Sequence, residues 1–247
     1  GKRSWLVIDA RPRKSTVNPD PTASHAAGEP AAGPEGALAR FEGAAVGVLL
    51  LAMVALPTGE TLARRFLGRG LPGSAILVQH LTLWVGFLGA LLATGAGKHL
   101  ALSTAEAIPP GWPRRAAGAL TRMISTAVCA LLAYAAVELV SAERASDRTL
   151  PLGLPFWWSE LVMPAAAALM ALRFALRREG GARRWGESAL ALAAAAAALA
   201  LGAVAPHPAL VRALLALLAL GFLLGTPVFV IMAGVAMALF WRDGTPI

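Results

Sequence analysis

The hydrophobic positions of this chain fall in long unbroken runs separated by short polar or basic stretches. Runs of about 20 apolar residues have the length a helix needs to cross a bilayer core about 30 Å thick. The first run extends from about Phe41 to Leu62, the second from Ala75 to Ala96, the third from Ala116 to Val140 and the fourth from Leu154 to Leu176. A fifth, made almost wholly of Ala and Leu, covers about Ser188 to Val204. A sixth region, Ala209 to Trp241, would be about 50 Å long as a single helix, more than one crossing needs. Gly225-Thr226-Pro227 interrupts it and predicts two short or tilted helices, or one helix broken there. Pro57 is expected to kink the first run, because a mid-helix proline removes one backbone hydrogen bond. Ahead of the runs, Gly1 to about Arg40 carries Pro12, Pro19, Pro21, Pro30 and Pro34 among Ala, Gly and Ser, and cannot bury enough surface to fold alone. The apolar stretch at its start, Trp5 to Ile8, is too short for a signal peptide.

No ten-residue alternation marks the chain, which speaks against an outer-membrane barrel. In lipid the remaining option is helices, which satisfy their own backbone groups. The expected fold is therefore all-α: a polytopic transmembrane helix bundle of about five to seven membrane helices behind a disordered amino-terminal tail.

Composition agrees. Hydrophobic residues make up 57% of the 247, charged residues only 15%, and the mean hydropathy is +0.64. A soluble domain usually carries about 25% charge. The net charge of +8 would suggest nucleic acid in a soluble protein. Here the basic residues lie between apolar runs, where they set orientation, and no nucleic-acid partner is expected. Fifteen Lys and Arg fall on one side: Lys2, Arg3, Arg11, Arg13, Lys14 and Arg40 in the tail, Lys98, Arg114, Arg115 and Arg122 in the second loop, and Arg173, Arg177, Arg178, Arg183 and Arg184 in the fourth. Six fall on the other: Arg64, Arg65, Arg69, Arg144, Arg148 and Arg212. The richer side, with the amino terminus, is expected to be cytoplasmic.

Candidate chemistry is sparse. The single cysteine, Cys129, sits inside an apolar run and reads as a small buried residue. His25, His80, His99 and His207 offer no facing pair for haem, and no nucleophile motif, phosphate loop or metal cluster is present. No catalytic, cofactor or metal residue is therefore expected. Gly43 and Gly47 have the spacing of a close helix contact, which chance also supplies in so Gly- and Ala-rich a chain. The ionisable residues at membrane depth are Glu60, Arg64, Arg65, Glu138 and Glu160, all near an interface. Snorkelling to the headgroups accounts for them; an ion pair tying helices together is the second reading. On that second reading Arg65 or Arg64 pairs with Glu160, with Glu138 as the next choice of partner. Trp112, Trp157, Trp158, Trp185 and Trp241 lie near helix ends, as an aromatic belt predicts, whereas Trp84 lies inside the second helix.

Several segments together resemble a known family. Glu60-x-x-x-Arg64-Arg65-Phe66, Leu83-Trp84-Val85-Gly86-Phe87-Leu88-Gly89-Ala90, Lys98-His99-Leu100-Ala101-Leu102, Pro110-Gly111-Trp112-Pro113-Arg114-Arg115, and Gly153-Leu154-Pro155-Phe156-Trp157 with Pro164 beyond it are similar, in this order, to the small membrane subunit of tripartite ATP-independent periplasmic (TRAP) transporters. The resemblance covers about Phe41 to Arg178. Leu220 to Val230, with its Gly225-Thr226-Pro227-Val228 turn, resembles the opening of the large subunit of the same systems. Some members fuse the two subunits, and joining them requires one extra crossing.

The resemblance implies a tail over residues 1–40, a four-helix small-subunit-like domain over 41–180, a linking transmembrane helix over 181–207, and an incomplete large-subunit-like start over 208–247. It implies a scaffold role in sodium-coupled import of an organic acid, in a bacterial inner membrane. The implied partners are membrane lipid, the remainder of the large permease subunit and a periplasmic solute-binding protein. Sodium is implied for the complete transporter and not for this chain, which is not expected to be an enzyme. Arg64, Arg65, Trp84, His99, Glu160, Gly225 and Pro227 are the structural or interface candidates. Two departures stand out. Ala75-Ile76-Leu77 occupies a place where the family often has an acid, and the sequence reaches Ile247 just after the large-subunit resemblance begins. The expectation is a fragment of a fused permease or a subunit completed by another chain. The alternatives are a self-sufficient small transporter or channel, and a membrane anchor of a redox complex.

Overall fold

The computed structural model describes residues 34–70, 72–96, 108–151, 153–177, 185–202 and 207–243. Eight helices lie among them: α1 (Pro34–Leu67), α2 (Ser74–Ala96), α3 (Trp112–Ala145), α4 (Phe156–Glu160), α5 (Val162–Ala175), α6 (Trp185–Gly202), α7 (Pro208–Leu223) and α8 (Val228–Arg242). The described residues contain no strand, only an isolated bridge between Thr149 and Pro155. Five segments are long and apolar enough to cross a membrane: Arg40–Leu67, Ser74–Gly95, Trp112–Ala145, Phe156–Ala175 and Trp185–Gly202. The chain is an all-α, multi-pass membrane bundle.

Two boundaries differ from those the apolar runs predict, and a third falls where Gly225-Thr226-Pro227 predicts it. α1 begins at Pro34, inside the segment assigned to the tail. Proline suits a first helical position, since its fixed φ is already helical and its missing N–H would have had no partner. The rest of the expected tail lies outside the described residues. The fourth run divides into α4 and α5 at Leu161, and Pro164 explains why: it has no N–H to offer the carbonyl of Glu160. The sixth region is two helices. α7 stops in a Schellman turn, in which Thr226 N–H bonds the Gly221 carbonyl and Gly225 N–H bonds that of Phe222. Such a turn needs a left-handed residue, and Gly225 supplies it with φ 90°. Pro227 then opens α8 as its N-cap residue.

α3 is the centre of the bundle. α5 and α6 lie along it, α4, α7 and α8 touch it, and α2 packs on α5. Lipid tails are as apolar as leucine, so membrane helices associate through close packing of small residues. The buried positions fit that rule: Ser125, Thr126, Cys129 and Ala136 on α3, Ala166 and Ala167 on α5, Ser188, Ala191 and Ala195 on α6. The leucines of α6, among them Leu190 and Leu192, face outward. Two glycines seat the α7–α8 hairpin. A Cβ at Gly221 would lie 2.7 Å from the end of Ile124, and one at Gly234 would lie 2.8 Å from Leu218 and 3.2 Å from Val128. Phe229 of α8 stacks on Phe174 of α5, with ring centroids 6.4 Å apart.

α1 is peripheral, and Val48, Leu51, Val54 and Phe66 are largely exposed along it. Its turn into α2 is fixed through Gly73, where a Cβ would overlap the ring of Pro151 in the loop after α3. Gly73 has φ 76°, while Gly68, at the other end of the same turn, has φ 66° and open space around it. Both Gly→Ala substitutions incur the left-handed backbone penalty of about 1–2 kcal/mol. Gly73→Ala must in addition displace a rigid ring, so it should lower the thermal midpoint in detergent clearly more than Gly68→Ala. Equal shifts would show that the Pro151 contact does not hold the turn.

Candidate functional site

The charged side chains of the described bundle gather at two levels. Eighteen residues of α1 separate Glu42 from Glu60, about 27 Å of helix, and 21 residues of α3 separate Arg122 from Glu143, about 32 Å. That spacing matches the hydrocarbon core of a bilayer. Between these marks α1 and α2 carry no Asp, Glu, Lys or Arg, and α3 carries one, the exposed Glu138, five residues before Glu143.

At the first level Arg173 of α5 joins three helices. Its Nη1 donates to the Leu91 carbonyl of α2 at 2.6 Å, and its Nη2 bonds the carboxylate of Glu42 on α1. A guanidinium near the carboxyl end of α2 is favoured by the helix dipole. Gly95 makes room for it, since a Cβ there would sit 3.1 Å from Nη1. Glu42 and Arg173 keep only 9% and 22% of their side-chain surface exposed, so they hold each other with little competition from solvent. At the same level Arg122 of α3, buried, pairs with Glu187 of α6 at 3.2 Å.

At the second level Glu60 accepts from Arg64 at 2.6 Å and from the hydroxyl of Ser74, so α1 is tied to the start of α2. Glu143 pairs with Arg148 at 3.1 Å and accepts from Ser146. Arg148 lies over the ring of Phe156, 4.7 Å from its centroid, and Arg144 over Trp157 at 5.4 Å. His80 meets Phe156 edge to face at 4.9 Å. These contacts clamp the loop after α3 and the start of α4 against α2.

Trp84 has a specific place between the levels. Its indole N–H donates to the carbonyl of Ser159 at 2.8 Å and reaches the Ser159 hydroxyl at 3.2 Å. In an unbroken helix that carbonyl would be met by the N–H of residue 163. The helix breaks at Leu161, and Trp84 reaches in from α2 to serve that oxygen.

The expected bridge from Arg64 or Arg65 to Glu160 is not formed. Arg64 has a carboxylate four residues away on its own helix, and that local partner takes it. Arg65 is exposed and makes no ion pair among the described residues. Glu160 instead sits among Glu143, His80 and Arg148, with Oε2 buried and without a hydrogen bond. Glu138, the second choice, is exposed. His99 lies outside the described residues. Gly225 and Pro227 shape the α7–α8 turn. Sequence reasoning overlooked Glu42 and treated Arg173 only as an orienting charge. The available signal was Glu42 itself, an acid just inside the first apolar run with no basic residue three or four positions further along.

A family model described as tripartite ATP-independent periplasmic transporters, DctQ component, matches residues 53–184. The chain belongs to this family. No curated protein and no solved structure matches it. As a DctQ component it is a membrane subunit of a TRAP transporter and not an enzyme. The matched stretch runs from the middle of α1 past the end of α5. It contains the Trp84–Ser159 and Arg173–Leu91 contacts, whereas Glu42, Glu187 and helices α6 to α8 lie outside it. The polar contacts of this DctQ component join helices of its own bundle, so their chemistry is that of fixing helices in place.

Two substitutions separate the contacts. Trp84→Phe leaves the Ser159 carbonyl without a donor and should cost about 1–3 kcal/mol, while Ser159→Ala should change little. Glu42→Gln and Arg173→Met should each lower the thermal midpoint, and together should fall short of additivity by about 0.5–3 kcal/mol. Strict additivity would mean that α1 is not held through Arg173.

Proposed function

We propose that the chain is the static scaffold of a permease that imports an organic acid, delivered by a periplasmic binding protein, together with sodium. In this reading residues 41–180 form the small-subunit domain, α6 is the linking helix, and α7 with α8 is the opening of a large-subunit-like domain. The transporting remainder belongs to the large permease subunit. The Arg173 level faces the cytoplasm, because the tail and the basic loops lie on that side. The membrane is the bacterial inner membrane, where a periplasmic binding protein can reach the opposite face.

One observation carries the scaffold reading. The paired ionisable groups of the described residues are held at two levels by contacts within the bundle, and between those levels α1, α2 and α3 carry a single ionisable residue, the exposed Glu138. A site that binds a carboxylate and sodium needs polar groups and broken helices near the midplane. The break at Leu161 is already served by Trp84, and the one at Gly225–Pro227 lies beside Ile124, two residues from Arg122.

Reconstitution tests the reading. Liposomes with this chain alone should show no saturable, sodium-gradient-dependent uptake of organic acids. Adding the large permease subunit and the binding protein should confer it. Uptake by the chain alone would defeat the scaffold reading.

A further inference from the structure

A long apolar groove runs along the bundle between α2 and α8. One wall is the α2 face of Gln79, Thr82, Leu83, Gly86 and Ala90; the other is Phe229 of α8. Leu132 of α3 and Met170 of α5 form its floor, and its volume is about 580 Å³. Gln79 to Ala90 covers eleven residues, about 16 Å, or three turns of a facing helix. The groove therefore extends through about half of the membrane depth between the two charged levels.

We infer that this groove seats a transmembrane helix of the large permease subunit, which packs on Gly86 and Ala90 and gives a hydrogen-bonding side chain to Gln79. The inference rests on the scaffold role proposed above and names the face through which it is exerted. Three features favour a helix. The groove is continuous with a helix interface the chain already makes: its wall residue Phe229 stacks on Phe174, and α8 is seated on α3 through Gly234. A helix entering beside α8 extends that interface onto α2. Next, small residues stand where a backbone must come close, and a Cβ at Gly86 would meet nothing within 4 Å. Last, the exposed amide of Gln79 makes no hydrogen bond among the described residues. Interhelical hydrogen bonds of this kind hold membrane helices together, and an acyl chain offers none.

The test uses the full chain co-expressed with the large permease subunit. Gly86→Leu fills the groove without touching the rest of the bundle, so the thermal midpoint of the chain should be unchanged. Co-purification of the large subunit should fall about tenfold, and reconstituted uptake should fall with it. Leu190→Phe, on the outward face of α6, should leave both as in the wild type. A photo-crosslinking residue at position 82 should yield an adduct with the large subunit. An adduct with phospholipid, or with a second copy of this chain, overturns the inference, as does normal co-purification of Gly86→Leu. If the wild-type chain retains the large subunit and supports uptake while Gly86→Leu does too, the scaffold role stands and only the groove assignment fails. If the wild-type chain neither retains the large subunit nor supports uptake, the scaffold role fails and takes the groove assignment with it.

Discussion

Inside a bilayer no water takes up a stray backbone carbonyl, and the arrangement of this bundle follows from where its helices break that rule. Two breaks are answered, one locally and one from another helix. At the end of α7, Gly225 takes the left-handed conformation that lets the chain bond its own last carbonyls. At Leu161 the answer is tertiary: the oxygen of Ser159 is met by Trp84 from another helix. That single bond fixes the height of α2 against the α4–α5 break. The His80–Phe156 contact and the Gly73–Pro151 contact are set at the same register.

Ion pairs complete the register at the other end. Isolated surface pairs contribute little, and buried ones can cost as much in desolvation as they return. The better-attested use of such pairs is to specify one arrangement among several. Arg173 fits that use, because it satisfies a carbonyl on α2 and a carboxylate on α1 from a position on α5. Sliding α1 or α2 along the bundle would leave one of these groups unmet. Helices so sparsely packed as α1 can therefore still be held at a defined depth by polar contacts at their ends and by Met53 against Thr82 midway.

Much of the bundle was legible in the residues. Apolar run length located the membrane segments, because the bilayer imposes it, and Gly225-Thr226-Pro227 announced the division between α7 and α8. The helix ends were less legible, since α1 and α3 each continue to 34 residues by carrying polar turns beyond the apolar core. The partners of the charged residues were hardest to read. Arg64 chose Glu60 over Glu160 because a neighbour four residues back needs no tertiary placement. Glu42 and Arg173, 131 positions apart, meet only once α1, α2 and α5 are side by side. Trp84 looked anomalous for a similar reason: its partner is a backbone oxygen, invisible in the side-chain pattern.

The division of labour within the bundle follows from the same chemistry. Around α3 the small residues of α5 and α6 bring backbones close, and the glycines of α7 and α8 do so again, so this half is held by dispersion over its whole height. The α1 side is held mainly by polar contacts near the membrane surfaces. Dispersion between tightly fitted helices tolerates almost no displacement, because a gap of under 1 Å forfeits a quarter to a half of each contact. A bundle of this kind resists deformation around α3 and leaves α1 and part of the α2 face uncovered. The scaffold role proposed above calls for that combination, with rigidity at its centre and open apolar faces at its margin.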